Sequence, residues 1–492
     1  MTTEREYRER QKRTKKRYKP KKKTNNILSI LWILIVFSSV VLTIKNQPKY
    51  FSLNDKKQLT WQNILNSFSN NSLRILTQEF ITKIDEPIVI NNPVNLQNKK
   101  FTAIDSKARS IQYTGNSVKE LANILSSYAT TDEEKARIIY TWITHNISYD
   151  VVALQNLFDR NIYPDVKVET VLNTRSTICS GYANLYQQLA QYMGLKSVIV
   201  IGYAKGIDYA VGEDNQVNHA WNAVKIDDDW YLIDTTWGSG TVNDNVFKAK
   251  FNPYYFATNP KEFIYSHFPE NSQWQLLNTP YSREQFDIFA DISPTLFQYD
   301  IKLISHKNLQ IDTDNRVNIT LKAPKNVVAI AQLKSAEKPL PENYTLVQKQ
   351  GENIIVNASF PEEGNYQLDI FAKPKDDSNK YPLIVTYDIS AKGKSSQFPK
   401  TFQHFIDNNG YIESPLTAKL TPNQNTYFKL RVDSAIEVKV VNKSTNQWHD
   451  LTRYGNVFTG NINVGNGEII VYAKFPNDNR YWALLEYSNN QN

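Results

Sequence analysis

Two stretches decide the fold of this chain: ICSGYANLYQQLAQYMGL at residues 178–195 and NHAWNAVKIDDDWYLIDTTWGSG at residues 218–240. In the first stretch, apolar residues recur at helical spacing from Tyr182 to Met193, which predicts a helix that begins at or just beyond Cys179. In the second stretch, two β-rich runs flank a turn of three aspartates, which predicts an antiparallel pair of strands. Both runs are apolar on both faces, so we expect the pair inside a covered sheet.

Cys179 is the only cysteine among the 492 residues, and its predicted place is the N-terminus of a helix. Unpaired backbone N–H groups and the helix dipole favour an anion there, and a thiolate is such an anion. The same N–H groups can stabilise the oxyanion of a tetrahedral intermediate. The alternative is a small apolar residue that fills space in the core, which is the common role of a lone cysteine. Cys179 by itself leaves both interpretations open.

A nucleophilic thiol needs a base, and His219 is the best placed of the six histidines. His219 opens the first predicted strand and Asp234 closes the second, so an antiparallel pair brings both to one edge of the sheet. Simple turn geometry does not place them directly opposite each other, and we expect a bulge or strand twist to join them. Each residue alone also fits a structural role. Their order and spacing with Cys179 favour a Cys-His-Asp triad, in which the carboxylate orients the imidazole.

Both stretches resemble the core of the transglutaminase-like, papain-related superfamily, whose pattern is a helix-initiating Cys, a strand His followed by an aromatic residue, and a strand Asp. The flanking runs TDEEKARIIYTWITHNISYD and PYYFATNPKEFIYSHFPENSQWQLL look like the subgroup named after kyphoscoliosis peptidase. The resemblance is strong over about residues 112–280 and loose over 286–489. It implies an α+β, papain-like catalytic domain followed by all-β modules.

The resemblance also implies roles for single residues. Cys179 corresponds to the nucleophile, His219 to the general base and acid, and Asp234 to the residue that orients His219. Trp221 and Trp237 match aromatic positions of the family and are expected to wall the site as structural residues.

His267 also matches a recurrent position of the family, and we expect it to serve packing.

Enzymes of this fold with an intact triad form a thioester on the cysteine, and the acceptor then defines the reaction. Our first hypothesis is a thiol hydrolase or peptidase that acts on protein or peptide substrates outside the cytoplasm. The alternatives are a protein-glutamine transglutaminase, which crosslinks amides, and a non-catalytic scaffold or binding protein that retains the fold. We expect no cofactor and no metal, because no compact acidic loop has the spacing of calcium ligands.

Beyond about Pro280 the sequence changes to short alternating segments separated by Asn, Asp, Gly and Pro. The run that starts at Gly364 is similar to the run that starts at Gly467, at a spacing of about 100 residues, which is the size of an immunoglobulin-like sandwich. We therefore expect two such β-sandwich domains, at 286–392 and 400–489. Their expected role is that of spacers, with binding of other surface proteins as the second possibility.

The net charge of +8 is concentrated at the N-terminus. Residues 1–26 hold twelve Lys or Arg and three Glu, so the rest of the chain is close to neutral and gives no reason to expect a nucleic-acid partner. An uncharged apolar run follows, which predicts a transmembrane helix at 27–45. The positive-inside rule then predicts a single-pass membrane protein with a cytoplasmic tail, a stalk at 46–111 and extracytoplasmic C-terminal domains.

Overall fold

The computed structural model describes residues 94–206 and 217–488. The predicted basic tail at 1–26, the predicted membrane helix at 27–45 and most of the predicted stalk lie outside the described residues. The end of that stalk belongs to the folded core, because Leu96, Phe101 and Ile104 are buried among the helices of the first domain.

The first domain contains most of the helices. They are α1 (Thr102–Ser110), α2 (Val118–Ser126), α3 (Asp132–Asn146), α4 (Val151–Arg160), α5 (Val168–Thr174), α6 (Cys179–Tyr192), α7 (Thr235–Ser239) and α8 (Pro260–Phe263). Short 3-10 turns lie at Leu96–Asn98, Pro253–Tyr255 and Ser272–Gln275. Helix α3 begins with a capping box in which the Thr131 and Glu134 side chains each bind the other's backbone N–H, a local sequence signal for a helix start.

The strands of the first domain are β1 (Ser148–Tyr149), β2 (Ser176–Thr177), β3 (Ser197–Ala204), β4 (His219–Ile226), β5 (Asp229–Ile233), β6 (Gly240–Asn243), β7 (Val246–Ala249), β8 (Phe256–Thr258) and β9 (His267–Pro269). An antiparallel sheet forms in the order β8-β5-β4-β3-β9. Helix α6 packs on strands β3 and β4, and its apolar residues are buried. This contact fixes the start of α6 beside the sheet.

The described part of the chain contains no helix that could cross a membrane. A span requires about 20 mostly apolar residues, whereas α3, with 15 residues, opens with three acidic side chains. Within residues 94–206 and 217–488, every helix is too short or too polar to cross a bilayer.

Two β-sandwiches follow the first domain. The first contains α9 (Arg283–Ile288), α10 (Pro294–Gln298) and the strands β10 (Asp291–Ile292), β11 (Lys302–Leu303), β12 (Gln310–Thr313), β13 (Arg316–Lys322), β14 (Val327–Ser335), β15 (Lys338–Pro339), β16 (Thr345–Gln350), β17 (Asn353–Ser359), β18 (Gly364–Pro374) and β19 (Leu383–Ala391), with a 3-10 turn at Glu342–Tyr344. Its two sheets have the orders β10-β19-β18-β14-β15, with β12 on β19, and β11-β13-β17-β16.

The second sandwich contains α11 (Gln403–Asp407) and the strands β20 (Lys400–Thr401), β21 (Tyr411–Ser414), β22 (Asn425–Arg431), β23 (Glu437–Asn442), β24 (Gln447–Asp450), β25 (Thr452–Tyr454), β26 (Val457–Asn463), β27 (Glu468–Lys474) and β28 (Tyr481–Ser488). Its sheets have the orders β20-β28-β27-β23-β24 and β21-β22-β26-β25. Each sandwich encloses its own apolar core.

The internal sequence repeat falls on equivalent strands of the two sandwiches. Strand β18 lies between β19 and β14, and β27 lies between β28 and β23. Tyr387 and Tyr487, on the strand that follows in each case, are both buried. The repeat therefore reflects a repeated pattern of strand pairing.

Candidate active site

Cys179 is the first residue of α6, directly beside the central sheet. The preceding residue, Ile178, supplies no side-chain cap. The N–H groups of Gly181 and Tyr182 bind the carbonyl of Ile178, whereas those of Cys179 and Ser180 precede the first bond of the helix. The thiol is therefore attached to a helix end whose first N–H groups have no partner within the helix.

His219 and Asp234 lie at the ends of neighbouring strands and are joined by a hydrogen bond of 2.8 Å from Nε2 to Oδ2. Strands β4 and β5 pair without a register shift, with Asn222 opposite Ile233. The expected bulge between these strands is therefore not needed. Asp234 is two positions short of the residue opposite His219, and an aromatic side chain can bridge such a diagonal.

The buried pair is ionised. Burial by itself would lower the pKa of His219, but the Asp234 carboxylate and a hydrogen bond with Cys179 raise that pKa to about 10. Burial would likewise raise the pKa of Asp234, but His219 and the bonds donated to the carboxylate hold that pKa well below its usual range. Since Nε2 of His219 binds Asp234, Nδ1 is left for Cys179.

Asp234 accepts hydrogen bonds on both carboxylate oxygens. Oδ1 accepts from the backbone N–H groups of Thr236 at 2.8 Å and Trp237 at 3.0 Å, which makes Asp234 the N-cap of α7. Oδ2 accepts from His219 and also from Nε2 of His267 at 3.0 Å. The carboxylate is completely buried, and these four donors replace the water that it loses.

The contact with His267 is the main feature of the site that the sequence analysis missed. Packing was the expected role, and His267 does stack on Phe263 with ring centroids 4.0 Å apart. The structure adds a polar role, because the ring also donates to Asp234. The sequence signal for it was the match of His267 to a recurrent position of the family, and pairing of β9 with β3 brings the residue to the site.

Trp221 and Trp237 lie where the sequence places them, beside the imidazole of His219. Their ring centroids are 5.9 Å and 5.8 Å from that of His219, and Trp237 also contacts His267 at 4.5 Å. Such apolar walls exclude water and strengthen the charge interaction between histidine and carboxylate.

The thiol is covered in this structure. Cys179 is 1% exposed and belongs to an apolar cluster with Leu157 of α4, Ile199 of β3 and Val217 before β4. Leu157 is itself fully buried. Entry of a substrate therefore requires part of this cluster to move.

One group of side chains among the described residues has the ligand atoms and the proximity for a metal ion: His219, Asp234 and His267, whose ligand atoms lie within 4.8 Å of one another. Both imidazole Nε2 atoms already bind the same carboxylate oxygen. A metal ion bound by these three side chains would replace both hydrogen bonds. The geometry favours the arrangement in which each histidine binds the Asp234 carboxylate.

Comparison with known families agrees with the fold. The model of the transglutaminase-like superfamily matches residues 119–235, and the model of the KY-like, immunoglobulin-like domain matches residues 283–402. The chain thus carries a transglutaminase-like domain followed by an immunoglobulin-like region, and the resemblance read from the sequence is confirmed.

Relatives among curated proteins support the subgroup as well. The chain is 32% identical to the kyphoscoliosis peptidase of Mus musculus over 60% of this chain and 43% of that protein. It is 26% identical to the kyphoscoliosis peptidase of Homo sapiens over 81% of this chain and 78% of that protein. It is also 27% identical to cytokinesis protein 3 of Schizosaccharomyces pombe, over 54% of this chain and 31% of that protein.

The relatives bear on the predicted localisation too. A match to a cytokinesis protein and the lack of a spanning helix within the described ranges contradict the single-pass protein with extracytoplasmic domains. That prediction is wrong, and it rested on the segment 27–45, which lies outside the described residues.

Proposed function

We propose that the chain is a cysteine enzyme that forms a thioester on Cys179 from an amide of a protein or peptide substrate. One observation carries the proposal: His219 is held by Asp234 through Nε2 and is hydrogen-bonded to Cys179. A thiol, an imidazole and a buried carboxylate in this order form the constellation that activates a nucleophile.

The reaction follows from the positions of these groups. The Cys179 sulfur, hydrogen-bonded to the His219 imidazolium, attacks the carbonyl carbon of the amide as the thiolate. The N–H groups at the start of α6 stabilise the resulting oxyanion. The C–N bond then breaks, and His219 returns its proton to the leaving amine. A thioester on Cys179 and a free amine are the products of this half-reaction.

Water is the acceptor that we propose for the second half-reaction. His219 takes a proton from the water, the hydroxide attacks the thioester, and the C–S bond breaks to release a carboxylic acid and the Cys179 thiolate beside the protonated His219. The names of the two kyphoscoliosis peptidases support hydrolysis. Transfer to a primary amine differs only in the acceptor and gives a transglutaminase.

A binding protein that retains the fold is the second candidate, and the burial of Cys179 favours it. A thiol that is 1% exposed reacts only when its cover opens. The ionised His219–Asp234 pair favours the enzyme. Burial of a charge pair costs desolvation free energy that apolar residues in the same place would not, so a purely structural role does not require it.

Alkylation of Cys179 separates the enzyme from the binding protein. At pH 7 we expect iodoacetamide to modify Cys179 about tenfold faster than it modifies glutathione, because the His219 imidazolium beside Cys179 stabilises the attacking sulfur. His219→Gln should abolish this excess. His404→Gln, in the second sandwich, is the matched control and should keep it. Labelling of Cys179 only after denaturation would refute the catalytic function.

A labelled primary amine separates hydrolysis from transfer. The full chain is incubated with unfolded casein and the amine, and both peptide release and amine incorporation are measured. Release without incorporation supports the hydrolase. Incorporation that depends on Cys179 identifies a transglutaminase.

A further inference from the structure

We propose that His267 is a positioning residue of this site, whose Nε2–H fixes the Asp234 carboxylate that in turn orients His219. The inference deepens the proposed function, and its catalytic consequence rests on that function. Its structural basis is independent of any reaction, because it lies in the bonds of one buried carboxylate oxygen.

The first argument is the saturation of Asp234. Oδ1 is bound by two backbone N–H groups, from Thr236 and Trp237, so the backbone fixes one end of the carboxylate. The other end, Oδ2, accepts from both His219 at 2.8 Å and His267 at 3.0 Å. Without His267, the buried oxygen that orients His219 would have that imidazole as its one donor.

The second argument is that His267 is held as a neutral donor. Burial lowers the pKa of His267 to about 4, so at neutral pH the ring carries a single proton. Ser266 Oγ lies 2.8 Å from Nδ1, and its hydroxyl donates there if Nδ1 is the acceptor. The Asp234 carboxylate can only accept, so Nε2 carries the ring proton, and Nδ1 is the closer acceptor for the Ser266 hydroxyl, which also lies 3.3 Å from the carbonyl of Phe263.

The third argument is the rigid setting of the ring. His267 is fully buried, stacks on Phe263 at 4.0 Å and meets Trp221 edge-on at 5.3 Å. If packing were the only role of this position, an apolar ring would fill it at a lower free-energy cost. The nitrogens of a buried histidine need hydrogen-bond partners, and an apolar ring does not. Both nitrogens of His267 have one.

The remaining titratable groups near Asp234 do not replace this donor. Burial, together with the nearby charge of Asp234, raises the pKa of the Tyr140 and Tyr182 phenols far above the neutral range. They therefore stay uncharged when Asp234 is ionised. The Tyr140 hydroxyl donates to the carbonyl of Asn252, and that of Tyr182 to the carbonyl of Ile147.

The test compares His267→Gln with His267→Met in the full chain. The two side chains have nearly the same shape, and both lose the ring stacking, but only Gln offers an N–H to Asp234. We expect Gln to be the more stable variant in denaturant unfolding at pH 6. The gap should narrow as the pH falls through the folded-state pKa of Asp234, which His219 and the bonds donated to the carboxylate hold well below its usual range, because a protonated Asp no longer needs the donor.

The rate of Cys179 alkylation at pH 7 is the second measurement. We expect Cys179 to be alkylated about tenfold more slowly in His267→Met than in His267→Gln. This is the effect typical of losing a group that orients a functional side chain. A stability gap that is zero or independent of pH would overturn the positioning role. If the gap depends on pH as expected but Cys179 is unreactive in all variants, the proposed function fails and the assignment of His267 as the donor to Asp234 stands.

Should neither variant fold, Ser266→Ala takes their place, because it removes the partner that holds Nδ1 as an acceptor. A rate of alkylation several-fold below that of the wild type would support the inference. The wild-type rate together with a wild-type pH profile would contradict it.

Discussion

At the scale of single residues, the site is a set of coupled charges. Asp234 is ionised and buried, His219 takes the positive charge, and His267 remains neutral although it binds the same oxygen. The pKa values of the two histidines shift in opposite directions because burial and the Asp234 carboxylate oppose each other at both rings, with a different balance. At His219 the carboxylate and the contact with Cys179 together outweigh burial and raise the pKa. At His267 burial outweighs the carboxylate and lowers the pKa.

These directions predict how stability depends on pH. The pKa of His219 is about 10 in the folded state and about 6.5 in an unfolded chain. Its stabilisation is therefore complete below about pH 6.5 and is lost as the pH rises towards 10. We expect the free energy of unfolding of Cys179→Ala to fall over this range, and that of Cys179→Ala/His219→Gln to stay flatter. The free energy of unfolding is measured by denaturant titration at several pH values. An equal dependence on pH in the two variants would contradict the charged histidine.

At the scale of elements, strand β3 joins β4, which carries His219, to β9, which carries His267. Gly202 of β3 pairs with His219 on one side and with Pro269 of β9 on the other. A Cβ at this position would lie 2.2 Å from the carbonyl oxygen of Phe268 and 2.7 Å from the Trp221 ring. Glycine is needed here because another backbone and an indole approach so closely.

Gly202→Ala is therefore expected to separate β9 from β3 and to displace His267. Overpacking of this kind costs about 1–3 kcal/mol, and the alkylation rate of Cys179 should fall with it. The control is Gly206→Ala, where the new Cβ meets the Trp237 ring at an ordinary 3.6 Å. Both quantities are measured by denaturant unfolding and iodoacetamide kinetics. A wild-type rate in Gly202→Ala would show that the site does not depend on this approach.

At the scale of the whole molecule, the first domain and the region after it share an apolar cluster. Phe268, next to His267, packs on Phe286 of α9 with ring centroids 5.3 Å apart, and Phe289 joins the same cluster. Lys205, at the end of β3, donates to the carbonyl of Phe289 at 2.9 Å. The segment that leads into the sandwiches is thus packed behind the strand that carries His267.

Phe286→Ala should destabilise the first domain as well as its junction with the sandwiches. Phe286 is fully buried, and such a truncation costs about 3–5 kcal/mol. We expect a lower unfolding midpoint together with slower alkylation of Cys179. Ile288→Ala, on the same helix and 48% exposed, is the control with little effect on either. Unchanged alkylation in a destabilised Phe286→Ala would mean that the junction does not support the site.

Local pattern carried much of the sequence-based prediction. The helical spacing after Cys179 predicted α6, and the aspartate turn predicted the β4–β5 pair, because both signals act between residues close in the chain. The repeat at about 100 residues found the equivalent strands of the two sandwiches, because the strand pattern within each copy is local. The end of the predicted stalk, by contrast, forms α1 in the core, since its burial depends on helices elsewhere in the sequence.

The sequence by itself determined the class of fold and the order of the three residues Cys179, His219 and Asp234. Only the tertiary structure decided how they meet: a diagonal across β4 and β5, a second histidine on the same carboxylate oxygen, and a cover over the thiol. The physical reason is that the bonds of a buried carboxylate depend on which strands pair. His267 is 33 residues beyond Asp234, and it reaches that carboxylate because β9 pairs with β3.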